Sequence, residues 1–183
     1  QRNDEGVMNL LVMMMKGNIA PNIAFLNTLL EIHVLLENWA QAVQLWDQLP
    51  SFNLQANTQT INILLQMMVN AQASKNRPTT SVAKILKVAQ VNDIAIGDAG
   101  ITHLMTYGVL VNNFDSVINL FKRLKSPNPQ AYSMYLRALQ STNQFSKFLS
   151  AFHQLEKNDV SLNWEILRTC MKACYSAGKP DIF

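Results

Sequence analysis

Cysteine is nearly absent from this chain. Two Cys (Cys170 and Cys174) and three His cannot build a disulfide framework or a Cys-rich zinc domain. Glycine and proline are scarce, six of each in 183 residues, which excludes collagen-like and low-complexity tracts. Charge is thin as well: 15 Lys+Arg against 12 Asp+Glu leaves a net +3, too little for a nucleic-acid binder that relies on bulk charge. No long hydrophobic run occurs. The most continuous one, Val7 to Met15, is broken by Asn9 and is too short to span a bilayer, so no membrane span is expected. Phosphate-cradling glycine motifs are missing, as is any H-x-E paired with C-x-x-C, and no carboxylate cluster suggests a two-metal nuclease. The expectation is a protein that is not an enzyme, with no catalytic residue, cofactor, metal or small-molecule substrate. The chain opens at Gln1 rather than Met and is expected to be part of something longer, so the missing leader carries no weight.

Apolar residues and side-chain amides are abundant. Hydrophobic residues make up 49%, a folding composition. Asn (19) and Gln (13) together form about a sixth of the chain. Asn is a mediocre helix former, so in a helical protein it belongs at caps, in turns, or where an amide has a task.

The apolar spacing is helical throughout. Val7, Leu10, Leu11 and Met14 stand at i, i+3, i+4 and i+7. The quartet returns as Ala42–Leu45–Trp46–Leu49, Val82–Ile85–Leu86–Ala89, Val117–Leu120–Phe121–Leu124 and Phe148–Ala151–Phe152–Leu155. Between these lie second faces at Leu26–Leu29–Leu30–His33, Ile61–Leu64–Leu65–Met68, Tyr132–Tyr135–Leu136–Leu139 and Leu167–Cys170–Met171–Cys174, with a weaker one at Thr102–Met105–Thr106–Val109. Each quartet puts four side chains on one helix face. Asn3, Asn38 and Asn113 sit four residues before a quartet, where an amide can cap, and Pro78 with Thr79 and Thr80 should start the third of these helices. Two-helix units at this period predict an all-α fold, a right-handed α-solenoid of helix–turn–helix repeats whose core exists only by stacking. Cys170 and Cys174 read as small buried hydrophobes, the methionines as core filler, and His33 and His153 as packing or surface residues.

Three segments carry a family likeness: Ile23-Ala-Phe-Leu-Asn27-Thr-Leu-Leu30, then Asn38-Trp-Ala-Gln-Ala-Val-Gln-Leu-Trp-Asp-Gln-Leu49, then the exit Leu54-Gln-Ala-Asn57. Together they resemble the pentatricopeptide repeat (PPR), an organellar RNA-binding helical hairpin. The tetratricopeptide signature of Trp, Leu-Gly and Tyr is not present. The resemblance divides the chain into the end of a preceding repeat at 1–22, repeats 23–57, 58–98, 99–128 and 129–163, and the start of another at 164–183.

In that family one repeat faces one base of single-stranded RNA, read by a residue early in the first helix and by the repeat's last residue. The resemblance therefore implies the RNA-binding pairs Asn27 with Asn57, Asn62 with Asp98, His103 with Asn128, and Ser133 with Asn163. Their implied preferences are pyrimidine, uracil, undefined and adenine. His103 and Arg168 depart from the family's usual residue types at that place. Lys75, Arg77, Lys84, Lys87 and Arg137 are candidate phosphate contacts on an inner surface formed by the first helices. The implied role is an RNA-binding factor in organellar mRNA stability, processing or translation. The mitochondrial matrix is the first expectation for its location and the plastid the second. The alternative is a non-catalytic scaffold bound to protein partners such as a mitochondrial ribosome or assembly complex. A structural reading of each Asn, as a cap or local backbone acceptor, stands beside its base-reading role.

The quartets predict that Trp46 is core. Trp46→Ala should lower the unfolding free energy by about 3–5 kcal/mol, measured by urea denaturation followed by circular dichroism.

Overall fold

The computed structural model describes residues 12–13, 16–17, 20–76, 78–157 and 163–176. The first quartet, the Asn3 cap and Arg77 lie outside them. The described residues contain nine α-helices and no strand: α1 Ile23–Leu35, α2 Trp39–Asp47, α3 Thr58–Ala73, α4 Val82–Val91, α5 Asp98–Leu110, α6 Phe114–Phe121, α7 Pro129–Ser141, α8 Phe145–Lys157 and α9 Trp164–Ser176. A 3-10 turn, Leu49–Phe52, extends α2. No helix among the described residues is long and apolar enough to cross a membrane. The chain forms two compact units, Gln1–Ile96 and Gly97–Phe183.

In the first unit α1 packs on α2 and on α3, and α3 packs on α4. All four residues of the α1 and α3 quartets are buried, as are those of the α2 quartet with its extension to Leu49. The α4 helix is thinner. Only Ile85 and Ala89 of its quartet are fully buried, and it starts at Val82, capped by Ser81, rather than at Pro78. The Ser81 hydroxyl takes the Lys84 N–H at 3.2 Å, which fixes the start where a hydroxyl meets the first turn. Asn38, expected to cap α2, makes no side-chain cap bond there.

In the second unit α7 is central, packing on α5, α6, α8 and α9. The Phe121 ring of α6 stacks flat on Tyr135 at 4.0 Å and meets Tyr132 edge-on at 5.1 Å. The weak face expected on α5 is shifted by one residue: the buried set is Ile101, Leu104, Met105 and Gly108. Gly108 is required there, because a Cβ would come within 2.8 Å of Val117 Cγ2 on α6. On α9, Cys170 and Cys174 are buried as expected, whereas Leu167 and Met171 are exposed. Ile166 and Ala173 complete the buried stripe instead.

Glycine's scarcity has a visible consequence at the helix ends. Glu37, Asn53, Lys75, Asp93, Asn112 and Asn143 all adopt left-handed backbone, with φ between 51° and 60°. Each is followed by a backbone bond that reaches back five residues, such as Asn38 N–H to His33 C=O at 2.9 Å and Gln144 N–H to Leu139 C=O at 2.9 Å. This is the Schellman closure, normally made with glycine. Asn tolerates the left-handed region; Glu37 lacks that excuse. Glu37→Gly should therefore raise stability by about 0.5–1 kcal/mol, seen as a higher midpoint in thermal denaturation.

Candidate nucleic-acid interface

The first helix of each repeat begins at a cap. Asn22 Oδ1 accepts the Phe25 N–H at 2.8 Å, Asn57 Oδ1 that of Thr60 at 3.0 Å, Asn128 Oδ1 that of Ala131 at 2.8 Å, and Asn163 Oδ1 that of Ile166 at 2.9 Å. These asparagines satisfy donors that the helix cannot satisfy internally. The last residue of a repeat is thus also the cap of the next first helix. α5 is the exception. Its cap is Gly97, with no side chain to offer, and Asp98 is already inside the helix.

Counting from the caps gives a common frame. The buried quartet falls at the fourth, seventh, eighth and eleventh residues in α1, α3, α5 and α7, save that Tyr135 is only half-buried. The fifth residue is Asn27, Asn62, Thr102, Ser133 and Arg168 in turn. Sequence reasoning placed the third repeat one residue late. Thr102, not His103, holds the position equivalent to Asn27, and Gly97, not Asp98, ends the second repeat. The signal was present in the apolar spacing Ile101–Leu104–Met105–Gly108, obscured because a glycine stands at its last position.

Two of the predicted pairs meet directly. Asn27 Nδ2 donates to Asn57 Oδ1 at 3.2 Å, and Thr60 Oγ1 lies 2.7 Å from Asn27 Oδ1, positioned to donate. Asn27 is fully buried, while Asn57 is exposed. Ser133 Oγ lies 3.3 Å from Asn163 Oδ1 and donates to it. His103 and Asn128 line one cleft of about 330 Å³, together with Thr102. Burial lowers the His103 pKa below its ordinary value of 6.5, so this imidazole is neutral at pH 7 and brings no cation to the cleft.

Asn62 and Asp98 behave differently. Asn62 Oδ1 is enclosed and accepts no hydrogen bond from the described residues. The Asp98 carboxylate accepts the Lys125 N–H at 3.2 Å and the Ser126 N–H at 3.0 Å, tying the segment after α6 to the start of α5. Both oxygens of Asp98 therefore serve the fold.

The phosphate candidates divide too. Arg137 is exposed on a first helix, α7. Lys84 and Lys87 lie on α4, a second helix, and do not belong to the first-helix surface where they were expected. Lys84 is paired with Asp47 at 3.0 Å, and its ammonium sits 4.8 Å from the Trp46 ring centre. Lys75 closes the left-handed turn after α3. Among the described residues no group of three His, Cys, Asp or Glu is placed to hold a metal.

No family model matches the sequence, and no curated protein is similar to it. In three dimensions the chain is similar to the PPR domain of Arabidopsis thaliana protein-only RNase P 1, solved in complex with tRNA. The TM-score is 0.69 at 16% identity, over 85% of this chain and 81% of that one. The fold is that of a pentatricopeptide-repeat domain. Nuclear proteinaceous RNase P 2 from A. thaliana gives a TM-score of 0.65 at 14% identity over 84% of this chain, and the maize pentatricopeptide repeat protein PPR10 gives 0.58 at 18% over 91%. The chain spans 34% and 24% of those two proteins. A PPR solenoid stacks its helical hairpins, and the helix pairs within each unit here are the hairpins of that fold.

Burial assigns Asn27 a load in folding as well as a place in the predicted pair. Asn27→Ala leaves the Thr60 hydroxyl without its shortest contact in an enclosed site. The change should cost about 1–3 kcal/mol in urea denaturation. Thr60→Val, which removes the hydroxyl, should make the Asn27→Ala cost smaller in a double-mutant cycle.

Proposed function

We propose that the chain is a non-catalytic, single-stranded RNA-binding member of the PPR family, acting in mitochondrial mRNA stability, processing or translation. The observation that supports this most is the meeting of Asn27 with Asn57 and of Ser133 with Asn163, two pairs taken from sequence register alone. A base edge is read only by polar groups whose height and angle the scaffold fixes. A residue that caps one helix while touching the fifth residue of its neighbour meets that demand. The tRNA bound by the PPR domain of protein-only RNase P 1 shows that this fold can hold RNA.

The corrected frame alters the expected code. Thr102 with Asn128 presents a hydroxyl and an amide, the same groups as Ser133 with Asn163. The second unit is therefore expected to prefer adenine at both positions. Asn27 with Asn57 keeps its pyrimidine preference, and Asn62 loses the acidic partner assigned to it.

A second reading, a protein-binding scaffold, is favoured by one observation. Trp164, Met171 and Tyr175 on α9 are 72%, 68% and 89% exposed, an apolar stripe that suits a protein partner.

The test is fluorescence anisotropy on single-stranded RNAs that differ at one base. Thr102→Asn should turn the preference at the third position from adenine towards a pyrimidine, while His103→Ala should leave it in place. A preference that follows His103 instead would restore the uncorrected register. No binding to any single-stranded RNA at ~50 mM salt, where backbone contacts are strongest, would favour the scaffold.

A further inference from the structure

The cap frame places more than the base-facing residues. The ninth residue after the cap is Thr106 on α5, Arg137 on α7 and Lys172 on α9. It lies one helical turn beyond the fifth residue and on the same face. All three line a single cleft of about 400 Å³ in the second unit, together with Ser133 and Arg168 from the fifth-residue row. Three cations from two first helices thus converge on one cleft. Its one carboxylate is Glu165, leaving a local charge of +2. The only ion pair among the described residues is Lys84 with Asp47, so none of the three cations is neutralised by one. In the first unit the ninth residues are Glu31 and Gln66, so the basic row is a property of the second unit.

Resting on the RNA reading above, we infer that this cleft is a phosphate clamp for the backbone of single-stranded RNA. Arg137 and Lys172 engage successive phosphates, and Arg168 adds a third cation rather than reading a base. Three features favour a nucleic-acid backbone over an acidic peptide. The cations recur at one register position on consecutive helices, matching a ligand whose charge repeats. The cleft includes Ser133, so base-facing and phosphate-facing groups share one wall. Arginine offers the fork that phosphate oxygens accept in pairs. The arrangement also answers the thin net charge of the chain: the few cations are gathered where a backbone would pass.

The test is the salt dependence of binding, using the whole chain and a fluorescein-labelled single-stranded oligoribonucleotide rich in adenine. Each neutralised phosphate contributes a slope of about −0.7 in log K against log salt. The Arg137→Gln/Lys172→Gln double variant should flatten that slope by about 1.4 while keeping the base preference at Ser133. The Arg137→Lys/Lys172→Arg exchange should restore most of it. All these side chains are exposed, so circular dichroism melts should match wild type. An unchanged slope in a variant that still prefers adenine would overturn the clamp and leave the RNA reading intact. Wild type that binds no RNA would overturn both. Wild type that instead binds labelled poly-glutamate, and loses it in the double variant, would make the cleft an acidic-peptide site and overturn the assignment to RNA.

Discussion

The hydrogen bond between an asparagine side chain and the first turn of the next helix sets the frame on which the rest of this molecule depends. It occurs at Asn22, Asn57, Asn128 and Asn163. Each bond satisfies a donor that would otherwise be left unpaired at a helix N-terminus. Each also fixes where the helix begins, and so which residues face the core four, seven, eight and eleven positions later. A one-residue change in the cap rotates the whole buried face by about 100°, as a helix of 3.6 residues per turn requires. The α5 helix shows the effect. Its cap is Gly97, and its buried face, Ile101 to Gly108, follows that glycine.

The caps also link packing to the proposed function. Asn57 closes a capping box with Thr60 and accepts from Asn27 on the neighbouring first helix. Asn163 holds α9 and receives the Ser133 hydroxyl. One amide therefore serves a helix terminus, a helix–helix contact and the edge of the candidate RNA surface. This explains why a helical protein carries so much asparagine despite its modest helix propensity. It also ties function to stability, because altering a base-facing pair disturbs the helix start beside it.

Much of the architecture was legible in the sequence. The quartets on α1, α2, α3 and α8 are buried to the last residue, because large apolar side chains at 3.6-residue spacing have nowhere else to go. The failures came where small or polar residues carry the pattern. Gly108 completes the α5 face through close approach to Val117, a role invisible to a hydrophobicity count. Ser81 outcompeted Pro78 as the start of α4 because a hydroxyl can take the Lys84 N–H. Leu167 and Met171 were expected inside and are exposed, since α9 turns Ile166 and Ala173 to α7 instead. In the candidate site, the pairs flanked by well-patterned helices met as predicted, while His103 and Asp98 were placed by a frame one residue out. The cation row of Arg137 and Lys172 was only half visible, because Lys172 becomes meaningful once the frame is counted from Asn163.

The central claim is that the cap frame organises a single-stranded RNA surface on the first helices. The most direct measurement is a titration of ¹⁵N-labelled protein with single-stranded RNA, followed by NMR. The account predicts shifts in the side-chain amides of Asn57, Asn128 and Asn163 and in the backbone amides of Thr102 and Ser133. Resonances around Trp46 and Lys84, on the second helices, should stay in place. Shifts confined to the second helices, or none at the cap asparagines, would contradict it.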